Sequence, residues 1–258
     1  MGWTALLLAG QRPGVDPLAA HFGETWKALV PVRGQTMLSR VARTLLDCPS
    51  IDRIIVLAQA PSALTATSDT AWLAREPRIE FSASMASISQ SVAGAAGTLA
   101  PWPVLVTTAD HALLTPAMVE DFIAGVGDAD VAVALVERAN LLGRYPGNKR
   151  TWLKFRGGAY SGANLFALTG ARARAALELW AGVEQDRKKG WKLVSAFGPL
   201  LLLRALTRTM SLRAGLAAAG RQLGLRALPV VLRQPEAAID VDKPADHELA
   251  ESILSARG

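Results

Sequence analysis

The sequence predicts an α/β fold in which helices cover a mostly parallel central sheet. Short apolar runs typical of buried strands alternate with longer helical patterns through the first half of the chain. Polar loops follow the runs that end at Leu8 and Thr107, which is where open α/β sheets bind their ligands. The chain has 258 residues, half of them apolar and 19% charged, so it is long enough to bury a sizeable core.

In the first half, the apolar runs predict strands separated by helices. The predicted strands are Thr4–Leu8, Arg53–Leu57, Arg78–Phe81, Val104–Thr107 and Val131–Val136. A helix with one apolar face is predicted after the first strand, and that face consists of Met37, Leu38, Val41, Leu45 and Leu46. Another helix is predicted to start at Thr115 and Pro116, because a hydroxyl cap precedes a proline. Asp110 therefore lies in the loop between a strand and this helix.

The second half is less regular. The segments Trp152–Phe155 and Ala163–Leu168 are predicted strands on either side of the Gly157-Gly158 turn, and Leu225–Leu232 is another. The stretch Arg187–Pro235 contains ten Lys or Arg residues and no Asp or Glu, and we expect it to form two or more helices. We therefore interpret residues 1–258 as a single domain with a basic helical insert at about 187–224.

Composition limits the partners and the compartment. The net charge of +6 favours anionic partners such as nucleotides, phosphorylated metabolites or an acidic membrane surface. Nucleic acid is disfavoured because no reading motif or aromatic stacking platform accompanies the basic residues. The single cysteine, Cys48, excludes an internal disulfide, and His and Cys are too few for a zinc site. No apolar run is long enough to span a bilayer. We expect a cytoplasmic protein, with contact at the inner face of the membrane as an open alternative.

The loop after the first strand has the features of a phosphate-binding loop. The strand ends in Leu8-Ala9-Gly10, and a glycine lets backbone N–H groups approach phosphate oxygens. Gln11 and Arg12 follow, and Arg12 and Lys27 supply positive charge. The loop matches neither the Walker A pattern nor the dinucleotide glycine pattern, so a P-loop kinase or a dehydrogenase is disfavoured.

Four segments together resemble the MobA-like nucleotidyltransferases. The amino-terminal one joins Leu6–Arg12 to Lys27-Ala28-Leu29-Val30-Pro31-Val32 and Gly34-Gln35-Thr36-Met37-Leu38. Thr108–Thr115 resembles the family's metal-binding aspartate segment, and Ser161–Phe166 its substrate-side glycine and asparagine strand. Asp240-Val241-Asp242-Lys243-Pro244-Ala245-Asp246 is similar to the closing Asp-Val-Asp-x-Pro-x-Asp motif. The resemblance covers nearly the whole chain in the family's order.

This resemblance implies the Rossmann-like nucleotidyltransferase fold, which is GT-A-like, and a Mg²⁺-dependent transfer reaction. A substrate phosphate attacks the α-phosphorus of a nucleoside triphosphate and pyrophosphate leaves, so the protein mainly positions groups and neutralises charge. Arg12 and Lys27 are the implied catalytic cations, and Asp110 and Asp242 the implied Mg²⁺ ligands. Asp240 remains an alternative to Asp242. The residues implied to bind the nucleotide are Leu8, Ala9, Gly10, Gln11, Ser91 and Asp110.

The sequence defines the nucleotide base and the acceptor molecule less closely than the reaction. Ser89–Gly94 resembles the Ser-Val stretch that contacts cytosine in the cytidylyltransferases of isoprenoid synthesis, although Met85 and Ala86 do not fit that pattern. CTP is therefore favoured, with GTP and other triphosphates left open. The acceptor is expected to be a small phosphorylated molecule that the sequence does not name. The residues assigned to it are Lys149, Arg150, Gly162 and Asn164.

Departures from the family pattern keep other functions open. The family's glycine-rich loop is replaced here by Gln11–Pro17, which supports a catalytically silent nucleotide-binding or membrane-surface module of the same fold. A nucleotide-sugar-dependent glycosyltransferase is a further alternative, disfavoured because Asp110-His111-Ala112 supplies one acid where such enzymes show Asp-x-Asp. The basic segment 187–224 is compatible with peripheral membrane contact. An apolar patch on its helices could equally form a homodimer.

Overall fold

The computed structural model describes residues 2–185 and 206–257, together with Gly198, Leu201, Leu203 and Arg204. For residues 183–185 the description covers the backbone and not the side chains. Residues 187–197 of the predicted basic insert lie outside the described residues. Further along the insert, a helix is present at Leu212–Gln222. In the described part of the chain, no helix has both the length and the apolar character needed to cross a membrane.

The central sheet is mostly parallel, as the sequence predicts. The strands are β1 (Trp3–Leu8), β2 (Pro31–Val32), β3 (Gln35–Thr36), β4 (Ile51–Ala58), β5 (Ile79–Ala83), β6 (Val104–Thr108), β7 (Val131–Glu137), β8 (Leu153–Phe155), β9 (Gly158–Leu168) and β10 (Ala227–Leu232). The order across the sheet is β10-β7-β9-β6-β1-β4-β5, and β8 pairs with β9. Neighbours in this order are parallel except at β9, which runs antiparallel to β6, β7 and β8. Strands β2 and β3 form a separate hairpin.

Helices cover both faces of the sheet. They are α1 (Pro17–His21), α2 (Met37–Leu46), α3 (Pro61–Leu64), α4 (Ile88–Ala95), α5 (Pro116–Val126), α6 (Arg138–Arg144), α7 (Arg174–Gln185), α8 (Leu212–Gln222) and α9 (Pro244–Arg257). The predicted start of α5 is confirmed, because the Thr115 side chain accepts a hydrogen bond from the Met118 N–H at 3.3 Å. Thr36 caps α2 in the same way through the Ser39 N–H at 3.2 Å.

The core lies on both faces of the sheet because successive side chains of a strand point to opposite sides. In β1, Ala5 and Leu7 pack with α2, α5 and α9, whereas Leu6 packs with α4 and α7. Burial on both faces explains why these strands appear as continuous apolar runs in the sequence. It also gives a packed base to the carboxyl ends of β1 and β6, which are neighbours in the sheet.

One strand begins earlier than the sequence indicates. The expected strand Ala163–Leu168 is the second part of β9, which starts at Gly158. The pairing with β7 shifts register between Val133 and Leu135, where Asn164 has a left-handed φ of 47°. A bulge of this kind interrupts the alternation that marks a strand in sequence. Because β9 is antiparallel, its first half lies at the same edge of the sheet as the carboxyl ends of β6 and β7.

Candidate active site

Lys27, Asp110 and Asp242 meet at the carboxyl edge of the sheet, although 83 and 215 residues separate the lysine from its two partners in sequence. The Lys27 Nζ lies 2.6 Å from Asp110 Oδ2 and also contacts Asp242 Oδ1. The side chains of Lys27 and Asp110 are only 16% and 20% exposed, whereas that of Asp242 is 57% exposed. The cluster is therefore anchored in the protein on one side and open to solvent on the other.

The loop after β6 fixes the orientation of Asp110. The Thr108 hydroxyl donates a hydrogen bond to Asp110 Oδ1, which leaves Oδ2 directed at Lys27. The backbone carbonyl of Asp110 accepts from the Val241 N–H at 2.9 Å. This second bond holds the segment before α9 beside β6, and it brings Asp242 to the same point.

The charges in the cluster do not balance. Burial by itself lowers the pKa of the Lys27 ammonium, but the contacts with Asp110 and Asp242 outweigh it and raise the pKa above its ordinary value. The lysine is therefore charged, and two carboxylates face one ammonium. Burial lowers the pKa of the neighbouring His111 to about 4, so its neutral ring adds no positive charge.

The two carboxylates fit a hard divalent cation. Asp110 and Asp242 reach the same ammonium, so their oxygens converge on one small volume, and carboxylate oxygen is the ligand type that Mg²⁺ takes from proteins. Among the described residues, no group of three or more His, Cys, Asp or Glu side chains could hold a metal ion. A metal bound here would therefore take its remaining ligands from water and from a bound substrate.

The structure separates the roles of Asp240 and Asp242. Asp240 forms an ion pair with Arg150 and accepts a hydrogen bond from the Asn164 Nδ2 at 3.3 Å. Asp246 lies 3.6 Å from the Arg150 Nη2 and accepts from the Asp242 N–H at 3.4 Å. Asp242 is therefore the carboxylate that shares the Lys27 ammonium with Asp110, and Asp240 pairs with the guanidinium of Arg150.

The two cations that the sequence assigns to an acceptor phosphate have different surroundings. The Arg150 side chain is 11% exposed, and burial lowers its pKa against the opposing effect of nearby carboxylates, Asp246 first. Its Nη2 donates to the Asp240 carbonyl and its Nε to Asn148 Oδ1, both at 3.1 Å. A phosphate would have to compete with these partners for Arg150. Lys149 is exposed. The acceptor role of both residues stays a prediction.

The loop after β1 presents its residues in different ways. Leu8 ends the strand, Ala9 is buried, and Gly10 and Arg12 are exposed. The Gln11 side chain binds two backbone groups of the protein. Its Nε2 donates to the Thr25 carbonyl at 3.0 Å and its Oε1 accepts from the Lys27 N–H at 2.9 Å. Gln11 thereby fixes the segment that carries Lys27, and its contact with a nucleotide stays a prediction.

A neighbouring glutamine was missed by sequence reasoning. Gln59 directly follows β4, and its side-chain amide makes hydrogen bonds with the backbone of Gln11 at 3.1 and 2.8 Å. The position of Gln59 offers a signal that could have found it, since β4 lies next to β1 and both strands end at the ligand edge.

The remaining predicted contacts lie around this edge. Ser91 is 5% exposed, and its hydroxyl accepts from the Met85 N–H and donates to the Ser87 carbonyl, both at 2.8 Å. This hydroxyl closes the loop between β5 and α4, and its contact with a base stays a prediction. Gly162 is exposed on β9, and the half-buried Asn164 adopts a backbone conformation that non-glycine residues rarely use.

Comparisons with known proteins agree with this geometry. The sequence matches the MobA-like NTP transferase domain over residues 5–196, which is most of the chain. No curated protein sequence matches it. Among solved structures, a hypothetical transferase from Thermus thermophilus is 28% identical, with a TM-score of 0.78 over 96% of this chain and 100% of that one.

More distant structures share the fold. The 4-diphosphocytidyl-2C-methyl-D-erythritol synthase of Anaerococcus prevotii is 11% identical, with a TM-score of 0.58 over 98% of this chain and 96% of that one. A CMP:2-keto-3-deoxy-manno-octonic acid synthetase solved with CTP is 13% identical, with a TM-score of 0.59 over 100% of both chains. At these identities the likeness establishes the architecture, which is that of the nucleotidyltransferases.

Proposed function

Since the chain belongs to the MobA-like NTP transferase family, we propose that it transfers a nucleoside monophosphate, with CMP favoured, from a nucleoside triphosphate to a small phosphorylated acceptor. Pyrophosphate is the second product. The observation that carries this proposal is the cluster of Lys27, Asp110 and Asp242 beside the loop after β1. The cluster provides one cation and a divalent metal site within reach of a loop that can bind phosphates.

The reaction requires positioning and charge neutralisation rather than a protein nucleophile. An oxygen of the acceptor phosphate forms a bond to the α-phosphorus as the bond between that phosphorus and the oxygen leading to the β-phosphorus breaks. Negative charge builds up on the departing pyrophosphate. The buried ammonium of Lys27 and the exposed guanidinium of Arg12 are suited to stabilise that charge in a partly dehydrated site.

The residues present fit Mg²⁺. When bound by Asp110 and Asp242, the ion would neutralise phosphate oxygens and favour one orientation of the triphosphate. Lys27 already balances one of the two carboxylate charges, so the protein supplies one net negative charge to the ion. A bound triphosphate and water would supply the other ligands.

CTP is the favoured nucleotide. Support comes from the resemblance of Ser89–Gly94 to a cytosine-binding stretch and from structural neighbours named as CTP-using or cytidylyl enzymes. For the acceptor, the exposed Lys149 offers a cation, and Gly162 and Asn164 lie on β9, on the side of β6 that faces away from β4. Membrane contact through 187–224 and a homodimer stay predictions.

Thermal unfolding with CTP, GTP, ATP and UTP, each with and without Mg²⁺, tests the nucleotide part of this proposal. A ligand present at 100 times its Kd stabilises the folded state by about 2.7 kcal/mol. We expect one nucleotide, CTP, to raise the midpoint in a Mg²⁺-dependent way, and Asp110→Ala to lose that rise. Absence of a shift with all four nucleotides would overturn the proposal.

Release of pyrophosphate then separates the transferase from a silent module. With CTP and a panel of phosphorylated alcohols and sugar phosphates, an active enzyme releases one pyrophosphate for each acceptor molecule consumed. Tight CTP binding with no pyrophosphate from any acceptor would favour the silent module. Consumption of a nucleotide-sugar with release of a nucleoside diphosphate would favour the glycosyltransferase instead.

A further inference from the structure

The side chain of Gln59 holds the loop that precedes the catalytic lysine. We propose that Gln59 is a positioning residue for Lys27, and that Gly10 has no side chain because Gln59 occupies the place where one would lie. This inference rests on the proposed function for its consequences in nucleotide binding. The contacts of Gln59 with Gln11 and Gly10 are present in the protein without any ligand.

Both polar atoms of the Gln59 amide bind the backbone of one residue. The Gln11 N–H donates to Gln59 Oε1 at 3.1 Å, and Gln59 Nε2 donates to the Gln11 carbonyl at 2.8 Å. Just before this point, the Ala9 N–H donates to the Leu57 carbonyl at 2.9 Å. The glutamine side chain therefore continues the hydrogen bonding between β1 and β4 to Gln11, three residues beyond the end of β1, where the backbones no longer pair.

Gly10 gives the amide room. A Cβ at residue 10 would lie 2.9 Å from Gln59 Oε1, which is too close without movement, and 3.1 Å from Gln59 Nε2, which is tighter than an ordinary contact. Gly10 does not have a positive φ, so its backbone conformation is open to other residues. The flexible tip of Gln59 would have to move away from an added methyl group, and that movement would distort both hydrogen bonds to Gln11.

The contact reaches the charged cluster through Gln11. Gln59 holds the backbone of Gln11. The side-chain amide of Gln11 then donates to the Thr25 carbonyl at 3.0 Å and accepts from the Lys27 N–H at 2.9 Å. Lys27 then reaches Asp110. A continuous series of hydrogen bonds therefore links the end of β4 to the carboxylate at the end of β6. Loss of Gln59 frees the loop and weakens the placement of the ammonium against the triphosphate.

A double-mutant cycle on Gly10→Ala and Gln59→Ala tests this inference, with the Kd for CTP in the presence of Mg²⁺ measured by calorimetry. Each single variant is expected to bind CTP about tenfold more weakly, as for the loss of two modest hydrogen bonds. The double variant is expected to bind no more weakly than Gln59→Ala alone. Gln59→Glu keeps the acceptor oxygen and is expected to retain part of the affinity.

Two matched controls identify general effects of the substitutions. A Cβ at Gly143, within α6, would meet nothing within 4 Å, so Gly143→Ala should leave the Kd unchanged. Gln222 is exposed at the end of α8, so Gln222→Ala should also leave the Kd for CTP unchanged. Additive losses in the double variant would overturn the inference, because they would mean that Gly10 is needed by the nucleotide rather than by Gln59.

Amide hydrogen exchange without nucleotide distinguishes failure of this inference from failure of the proposed function. Gln59→Ala is expected to accelerate exchange at the amides of Gln11 and Lys27 while the β4 amides keep their protection. That result supports the positioning role even if no nucleotide binds. Unchanged exchange at both amides, in a protein that binds CTP, would refute the positioning role and leave the transferase proposal intact.

Discussion

Replacement of Lys27 by methionine tests whether the two carboxylates of the cluster need a cation between them, either the ammonium or a metal ion. Methionine keeps the length and apolar stem of lysine but leaves Asp110 and Asp242 facing each other with no cation between them. We expect Lys27→Met to destabilise the protein when divalent ions are absent. We also expect Mg²⁺ to restore part of the loss, because the ion can take over the role of the ammonium.

The size of the effect follows from burial. Lys27 and Asp110 are mostly buried and lie 2.6 Å apart, so their charge-assisted hydrogen bond is worth roughly 1.5–3 kcal/mol. The contact with Asp242 adds at most about 1 kcal/mol, because water screens that largely exposed carboxylate. A loss of about 2–3 kcal/mol lowers the Tm of a chain of this length by roughly 4–10 °C.

Thermal unfolding followed by circular dichroism, in EDTA and in Mg²⁺ without nucleotide, measures this effect. Lys154→Met, at an exposed lysine of β8, is the matched control and should leave the Tm unchanged. Lys27→Met/Asp242→Asn removes one carboxylate as well, so it should recover stability in EDTA and lose the response to Mg²⁺. Equal Tm values for Lys27→Met and the unchanged protein in EDTA would refute this reasoning.

Four further predictions concern stability and reactivity. Asp240→Ala leaves the buried guanidinium of Arg150 with Asp246 as its remaining carboxylate, so urea unfolding should show a loss of about 2–3 kcal/mol. Asp242→Ala should cost less than about 1 kcal/mol, and equal losses would contradict the separate roles of the two aspartates. Burial raises the pKa of the Cys48 thiol to about 12, so a thiol reagent at pH 8 should modify it only in denaturant, and rapid reaction of the native protein would count against this burial. Phe122 is fully buried in α5, so Phe122→Ala should lower the free energy of unfolding by about 3–5 kcal/mol, and a change below about 1 kcal/mol would contradict its place in the core.

Much of the fold follows from local patterns in the sequence. Strands β1 and β6 are buried apolar runs, and α5 begins at a hydroxyl cap followed by proline, so both features are visible without tertiary information. The closeness of Asp110 to the loop after β1 follows from one topological rule, because parallel strands end at a common edge. That rule does not place Lys27, which lies beyond α1. The early start of β9 was missed because the bulge at Asn164 breaks the alternation.

The partners of individual side chains could not be predicted in the same way. Asp240 and Asp242 are two residues apart in one motif, and only the position of Arg150 in the fold assigns Asp240 to the guanidinium. Ser91 has the sequence context of a base contact, yet its hydroxyl is satisfied by the backbone of its own loop. Gln59 is an exposed polar residue whose place after a strand puts it at the ligand edge, but its hydrogen bonds to the Gln11 backbone depend on the pairing of β4 with β1.

A crystal structure with CTP and Mn²⁺, with the ion located by its anomalous scattering, would test the central claim most directly. The claim is that Asp110 and Asp242 hold the metal and that Lys27 and the loop after β1 bind the triphosphate. We predict one anomalous peak within about 2.5 Å of an oxygen of each aspartate, shared with phosphate oxygens of CTP. A nucleotide bound elsewhere, or a peak with no contact to Asp110, would contradict it.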